Sequence, residues 1–311
     1  MGDLRMAVIG IGATGAVLAA ALLNRDPETM LVARPGLRDK IRENGITISG
    51  ELNYHVPVRN VFQQISELKE RDPDIIFIST KTFHLPEVVN ALKGVFRPGI
   101  KIVSAHNGLG AEDVIAAVFG ADAAFRMSLN FGVSVKRPGE VTASFFNRPN
   151  HLGALDPGNR EIGMKLAGLF TTSGLDTEFV DDIKFHVWKK MIMKCTMASI
   201  CAVTDRTIKD ALEFAPTREI ADACFREALA VAKAKGYDLG DDYLTHAMAY
   251  LEKVGIHKDS MCVDIANRTR TEIDFLGGKV VEYGKETGIP TPHYSTMANL
   301  VRAIEDKYLR R

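Results

Sequence analysis

The sequence predicts an α/β domain built on a mostly parallel, doubly wound sheet, followed by an all-α domain. Three observations carry this. Short β-rich runs alternate with amphipathic segments through the first half, a glycine-rich turn follows the first run, and beyond about residue 182 the text is helical almost throughout. The boundary falls at residue 180, giving domains 1–180 and 181–311. It rests on the switch from mixed to helical text, because no repeat, low-complexity stretch or flexible linker marks it.

Taken in order, Met6–Ile9 is an apolar run of strand length, Ala13–Asn24 an alanine-rich helix and Met30–Ala33 a second strand. Asp74–Ser79 and Lys101–Ser104 are further buried strands. Between them His84–Gly94 has helical spacing at Leu85, Val88, Val89 and Leu92. Ile46–Ser49 and His55–Val58 form a small antiparallel excursion. Val141–Phe146 and His151–Ala154 are expected as late antiparallel strands closing the edge of the sheet. Glu161–Thr172 is a helix and Asp176–Val180 a last short strand. The helical half comprises Lys184–Cys201, Pro216–Lys235, Asp241–Leu251, Met261–Arg268, Glu272–Thr287 and His293–Tyr308.

Composition excludes several classes of function. Among 311 residues, Lys+Arg and Asp+Glu are equal at 39 each, so no basic excess points to nucleic acid and no acidic tail to a solvated interaction segment. The apolar stretch Ala7–Leu23 comes nearest to a membrane span, but Gly10, Gly12 and Gly15 interrupt it. A strand–turn–helix accounts for the whole stretch better than a span or a signal peptide does. Cys195, Cys201, Cys224 and Cys262 show no CxxC spacing and read as reduced, buried thiols of a cytoplasmic protein. The 8 histidines are scattered without an HxxxH pair, so no metal site is expected. The apolar text of the helical half would suit a homodimer interface, and an internal core accounts for the same residues.

Gly10-Ile11-Gly12-Ala13-Thr14-Gly15 satisfies GxGxxG. The pattern is short and weak alone, but here an apolar strand precedes it and a helix follows. Gly10 then makes the tight turn, Gly12 lets the backbone approach a pyrophosphate and Gly15 lets helix and strand pack closely. The helix N-terminus offers unpaired N–H groups and the positive end of its dipole. It reads as a Rossmann dinucleotide site, with a glycine-rich turn that holds no ligand as the competing reading. NAD sites carry an acid at the end of the second strand, to hold the ribose hydroxyls. Here that place reads Leu31-Val32-Ala33-Arg34-Pro35, while Asp26 and Glu28 lie before the strand, at its wrong end. Arg34 is suited to a 2′-phosphate through its planar fork, which favours NADP (as NADPH) over NAD; an ordinary solvated arginine is the competing reading.

Three further stretches are more specific: Ser79-Thr80-Lys81 after a strand, Ala105-His106-Asn107-Gly108-Leu109-Gly110 after the next, and Trp188-Lys189-Lys190 at the start of the helical half. With Ser260 and Thr271-Glu272-Ile273-Asp274, the chain resembles the ketopantoate reductase (2-dehydropantoate 2-reductase) family nearly end to end. The resemblance implies an NADPH-binding Rossmann domain, a helical domain closing over it, and reduction of a 2-oxo acid in the cleft between them.

Carried over residue by residue, Lys190 matches the catalytic lysine. Hydride reaching a ketone carbon leaves negative charge on oxygen, which an ammonium can stabilise and protonate. From spacing alone Lys190 would be a solvated lysine on an amphipathic helix. Asn107 matches an asparagine near the nicotinamide that also touches substrate, although an Asn-Gly turn needs no ligand. Lys81 matches a cofactor-contacting lysine, and is otherwise a loop cation. Ser260 matches a serine that holds the substrate carboxylate, though it equally reads as a helix cap. Glu272 matches a glutamate that touches the cofactor ribose or orients the lysine, and would otherwise pair with Arg268 or Arg270.

The pattern departs at two positions. The family places asparagines four and eight residues after the catalytic lysine; here stand Lys194 and Ala198, and Ala198-Ser199-Ile200 replaces the following Asn-Pro. Lys194, one helical turn from Lys190, is a candidate substrate residue that would favour a second acidic group on the substrate and lower the pKa of Lys190. Bending out to solvent is its alternative. The resemblance points first to ketopantoate. A D-2-hydroxy-acid dehydrogenase on another 2-oxo acid, a dicarboxylic one included, is the second reading, and a dinucleotide-sensing protein without turnover the third.

Overall fold

The computed structural model describes residues 4–310. The chain divides into two compact units. One runs from the N-terminus to His106 and takes up again at Ala111–Ile183; the other joins Asn107–Gly110 to the chain from Lys184 onward.

In the first unit the elements are β1 (Met6–Ile9), α1 (Ala13–Arg25), β2 (Met30–Val32), α2 (Pro35–Asn44), β3 (Ile46–Gly50), β4 (Tyr54–Val56), β5 (Val61–Phe62), β6 (Ile75–Ile78), α3 (Leu85–Leu92), β7 (Lys101–Ser104), α4 (Ala111–Phe119), β8 (Ala124–Ser128), β9 (Phe131–Arg137), β10 (Glu140–Phe146), β11 (Asn150–Ala154), α5 (Arg160–Thr172) and β12 (Thr177–Phe179). Eight strands form the main sheet in the order β12-β11-β8-β7-β6-β1-β2-β5. All its pairings are parallel except that of β11 with β8. Both faces are buried, as the unbroken apolar runs of β1 and β6 require. Met6 and Val8 pack on α1 and α5, while Ala7 and Ile9 pack on α3 and α4.

The second sheet corrects the sequence reading. Val141–Phe146 does not close the main sheet: β10 runs parallel to β3 and antiparallel to β9 in a four-stranded sheet ordered β4-β3-β10-β9. The excursion at β3 and β4 is the seed of this layer. Its other half comes from a strand, β9, that is exposed toward its far end and so carries no strong alternation. The small sheet packs on α1, which is thereby covered on both sides. That is why α1 is apolar all round, as an internal helix must be.

The second unit contains α6 (Ile183–Thr204), α7 (Ile208–Glu213), α8 (Ala215–Ala234), α9 (Tyr243–Val254), α10 (Ser260–Ala266), α11 (Gly277–Thr287) and α12 (Pro292–Leu309), with α6 beginning one residue before the division. Its central helix is α6, where nearly every residue from Met191 to Ala202 is buried. The Trp188 ring stacks with Tyr237 and tilts against Tyr283. Thr196 Oγ1 meets the Tyr294 hydroxyl of α12 at 2.6 Å. The single helix expected over Glu272–Thr287 is instead a 3-10 turn at Ile273–Phe275 followed by α11. Gly277-Gly278 follows that turn, and a Cβ on Gly278 would lie 3.0 Å from the Ile273 carbonyl oxygen. All four cysteines are free and buried. Among the described residues no helix is long and apolar enough to cross a membrane, and no cluster of His, Cys, Asp and Glu is gathered as a metal site.

Candidate functional site

In the first unit β1 lies between β2 and β6, so the chain turns back on itself at the carboxyl end of β1. Such a switch point is where open α/β sheets bind ligands. The registers place Ile9 beside Val32 and Ile78, and Ile78 beside Ser104. Gly10, Ala33, Ser79 and Ala105 therefore stand in one row at the strand ends. Gly10 has φ +91°, and a Cβ there would lie 2.7 Å from Thr80 Cγ2; on Gly15 it would lie 1.9 Å from the Gly10 oxygen. Around Gly12 a Cβ would meet nothing within 4 Å. Gly10 and Gly15 are thus fixed by the fold, whereas Gly12 leaves space for something else. Gly12 occupies the N-cap of α1 without a side-chain cap bond, so the first-turn N–H groups of Ala13, Thr14 and Gly15 remain for a ligand. Ile11 is buried beneath them. A pyrophosphate fits this cradle by charge and by room. Beyond β2, Arg34 is exposed at the start of α2. Lys81 is half-buried and begins the 3-10 turn Thr82–His84.

In the second unit Lys190 Nζ donates to Asn107 Oδ1 at 2.9 Å. The Asn107–Gly110 loop is sewn into this unit by bonds the sequence did not announce. The Gly108 N–H meets Met191 Sδ at 3.0 Å, and the Leu109 N–H donates to the Phe275 carbonyl at 2.9 Å. Gly108 has φ +117°, and a Cβ on it would come within 2.7 Å of that same carbonyl oxygen. The Asn-Gly pair therefore serves turn and contact together. Lys194 donates to Asp259 Oδ2 at 2.5 Å and to Ser260 Oγ at 2.9 Å. Although burial opposes its charge, the adjacent Asp259 carboxylate, with Glu272 beyond, holds the Lys194 ammonium above its usual pKa. Glu272 is half-buried at the start of the 3-10 turn Ile273–Phe275. The second unit thus gathers Asn107 with Lys190, and Lys194 with Ser260. Arg34, Lys81 and the glycine loop belong to the first.

Comparison with known proteins identifies the family. Residues 6–157 match the family described as ketopantoate reductase PanE/ApbA, and residues 182–305 match its C-terminal domain. The chain belongs to the ketopantoate reductase family. Family members are oxidoreductases acting on CH–OH groups. A 2-dehydropantoate 2-reductase of Streptococcus pyogenes serotype M3 is 28% identical over 269 residues, which is 85% of this chain and 86% of that protein. A PanE/ApbA family ketopantoate reductase from Ralstonia eutropha JMP134 superposes with TM-score 0.88 at 24% identity, covering 98% of this chain and 99% of its own. D-mandelate dehydrogenase, solved with NADH and anilino(oxo)acetate, gives TM-score 0.86 at 23% identity over 98% and 99% of the two chains.

Within this ketopantoate reductase family member, the two departures from the asparagine pattern have different physical characters. Ala198 is fully buried in α6, so it presents nothing polar. Lys194 carries a partner that sequence reasoning missed. Asp259 accepts from the Met261 N–H at 2.8 Å through Oδ1, as the N-cap of α10, and from Lys194 through Oδ2. An Asp immediately before Ser260 was the available signal, because aspartate is a favoured N-cap. That it also meets a lysine of α6 depends on tertiary packing alone.

Proposed function

We propose that this chain reduces a 2-oxo acid to a 2-hydroxy acid with NADPH, ketopantoate to pantoate being the leading candidate. The observation that carries the reading is the Lys190–Asn107 contact at 2.9 Å. The glycine loop would hold the dinucleotide by its pyrophosphate, and the reduced nicotinamide of that cofactor would supply the hydride. Lys190 places its ammonium on the ketone oxygen, stabilises the charge that develops there and gives up a proton to it. By accepting from Lys190 through Oδ1, Asn107 fixes its amide so that Nδ2 is the end turned to substrate. Ser260 supplies a donor for the carboxylate. Arg34 pairs with the 2′-phosphate, and Lys81 and Glu272 contact the cofactor. The family relatives named for 2-dehydropantoate reduction support the substrate, and the NADH-bound neighbour supports a nicotinamide dinucleotide.

Lys194 and Ala198 in place of asparagines favour a second reading, reduction of a different 2-oxo acid, and D-mandelate dehydrogenase is a neighbour in fold. One assay addresses both. The purified protein is followed for NADPH and NADH oxidation against ketopantoate, 2-oxoisovalerate and oxaloacetate. Highest kcat/KM with ketopantoate and NADPH is expected. Preference for oxaloacetate, reversed by Lys194→Asn, would favour the second reading, and no oxidation with any 2-oxo acid would refute both.

A further inference from the structure

Beside the glycine loop, four polar side chains of the first unit form one hydrogen-bonded line. Arg126, on β8, is 1% exposed, and Ser104, paired with it in register on β7, is wholly buried. Arg126 Nη1 donates to Ser104 Oγ at 3.0 Å, and its Nη2 donates to the His106 carbonyl at 2.7 Å. Ser104 Oγ lies 2.9 Å from His106 Nδ1, and His106 Nε2 lies 3.4 Å from Thr80 Oγ1. The Glu112 carboxylate, 3.6 Å from Arg126 Nη1, balances the buried charge.

Counting hydrogens gives the line a direction. The guanidinium can only donate, so Ser104 Oγ accepts from it. If His106 Nδ1 also carried a hydrogen, Ser104 Oγ would accept twice. Its own hydroxyl hydrogen, in a wholly buried position, would then lack an acceptor. The satisfied arrangement runs the other way: Ser104 donates to Nδ1, and Nε2–H donates to Thr80 Oγ1. Burial and the neighbouring Arg126 charge keep the ring neutral, consistent with this single tautomer. Thr80 Oγ1 is then occupied as an acceptor, and its own hydrogen remains to be given. Thr80 is half-buried and stands against Gly10, whose added Cβ would lie 2.8 Å from the Thr80 nitrogen.

We propose that Thr80 donates this hydrogen to an oxygen of the pyrophosphate–ribose stretch of the dinucleotide, and that Arg126 is the positioning residue that sets its direction through Ser104 and His106. The inference rests on the reading of the glycine loop as a dinucleotide site. It adds a donor two residues beyond the end of β6 and a buried network behind it, neither of which the glycine pattern contains.

The test is the dissociation constant of NADPH and of NADH, measured by fluorescence titration without substrate. Thr80→Val keeps the shape of the side chain and removes the donor. It should weaken both cofactors by the same factor, on the order of tenfold, as for one lost hydrogen bond. Thr80→Ser should stay within about twofold of the unsubstituted chain, since it keeps the hydroxyl. Ser104→Ala touches no ligand but breaks the line, and should weaken both cofactors several-fold. The double variant should bind no worse than Thr80→Val, because the two residues act through one bond. Unchanged affinity in Thr80→Val would overturn the inference and leave the dinucleotide site intact. Additive losses in the double variant would overturn the role of Arg126 and Ser104. Should the unsubstituted chain bind neither cofactor, the dinucleotide reading fails and this inference with it.

Discussion

Lys190 and Lys194 stand one turn apart on α6 and have different surroundings. Lys190 donates to a neutral amide oxygen at 2.9 Å, whereas Lys194 is bound to the Asp259 carboxylate and to Ser260. In the proposed reaction Lys190 is the proton donor to substrate. Lys190→Met is expected to lower kcat by about 10²–10⁴-fold, the usual worth of a positioned general acid, while the NADPH dissociation constant stays within about threefold. An unchanged kcat would remove Lys190 from the chemistry. Arg34 makes the complementary case for the cofactor: Arg34→Ala should weaken NADPH by on the order of tenfold and leave NADH alone, since the lost pair is with the 2′-phosphate. At this scale the sequence was readable where a residue's neighbours are local in the chain. Gly10, Gly12 and Gly15 each announce their place by spacing. Asp259 could be read as a cap from its position before Ser260. Its second bond, to a lysine 65 positions away, leaves no trace in either local pattern.

The glycine loop and α1 act as one element, and their glycines separate folding from binding. Gly15 packs so closely under Gly10 that a Cβ would come within 1.9 Å of its carbonyl oxygen, while the same atom on Gly12 has open space. Gly15→Ala should therefore lower the thermal midpoint by several degrees, because the turn or the helix must shift. Gly12→Ala should melt within about a degree of the unsubstituted chain, since the cost of a surface change is small, and yet lose cofactor affinity by tenfold or more. A Gly12→Ala variant that still bound NADPH normally would show that the space over Gly12 is not the pyrophosphate site. The elements themselves were legible wherever one periodicity held over several residues, as in β1, β6 and α3. They were misread where a partner from elsewhere decided. Val141–Phe146 alternates like an edge strand of the main sheet, but its parallel partner is β3, some ninety residues earlier. Asn107–Gly110 reads as a turn after β7, yet its backbone bonds go to Met191 and Phe275.

At the scale of the molecule, the buried charge in the first unit should be visible as a pH dependence of stability. Arg126 and Glu112 are each almost wholly buried, and His106 is enclosed beside them. Burial, with the Arg126 charge second, depresses the His106 pKa to about 3. The native state therefore leaves this ring neutral across the mildly acidic range, while in the unfolded chain it takes up a proton below about pH 6.5. Where the unfolded state binds more protons, stability rises with pH. The contribution of His106 is thus complete above about pH 6.5 and is lost progressively as the pH falls toward 3. The slope approaches roughly 1.4 kcal/mol per pH unit for one proton. Asp72, Asp74 and Asp122 are held below the usual carboxylate range, Asp72 and Asp122 chiefly by bonds to Arg97, Arg5 and Lys101. Their stabilisation is likewise lost on acidification, but only as the pH approaches 4, where unfolded carboxylates begin to protonate. His106 therefore contributes to the slope between about pH 6.5 and 4.5. Urea unfolding across that interval should show it in the unsubstituted chain. It should flatten in His106→Gln, whose amide does not titrate, whatever that variant's absolute stability. A slope left unchanged in His106→Gln would mean that other groups carry the proton linkage, and that burial does not hold the His106 ring neutral.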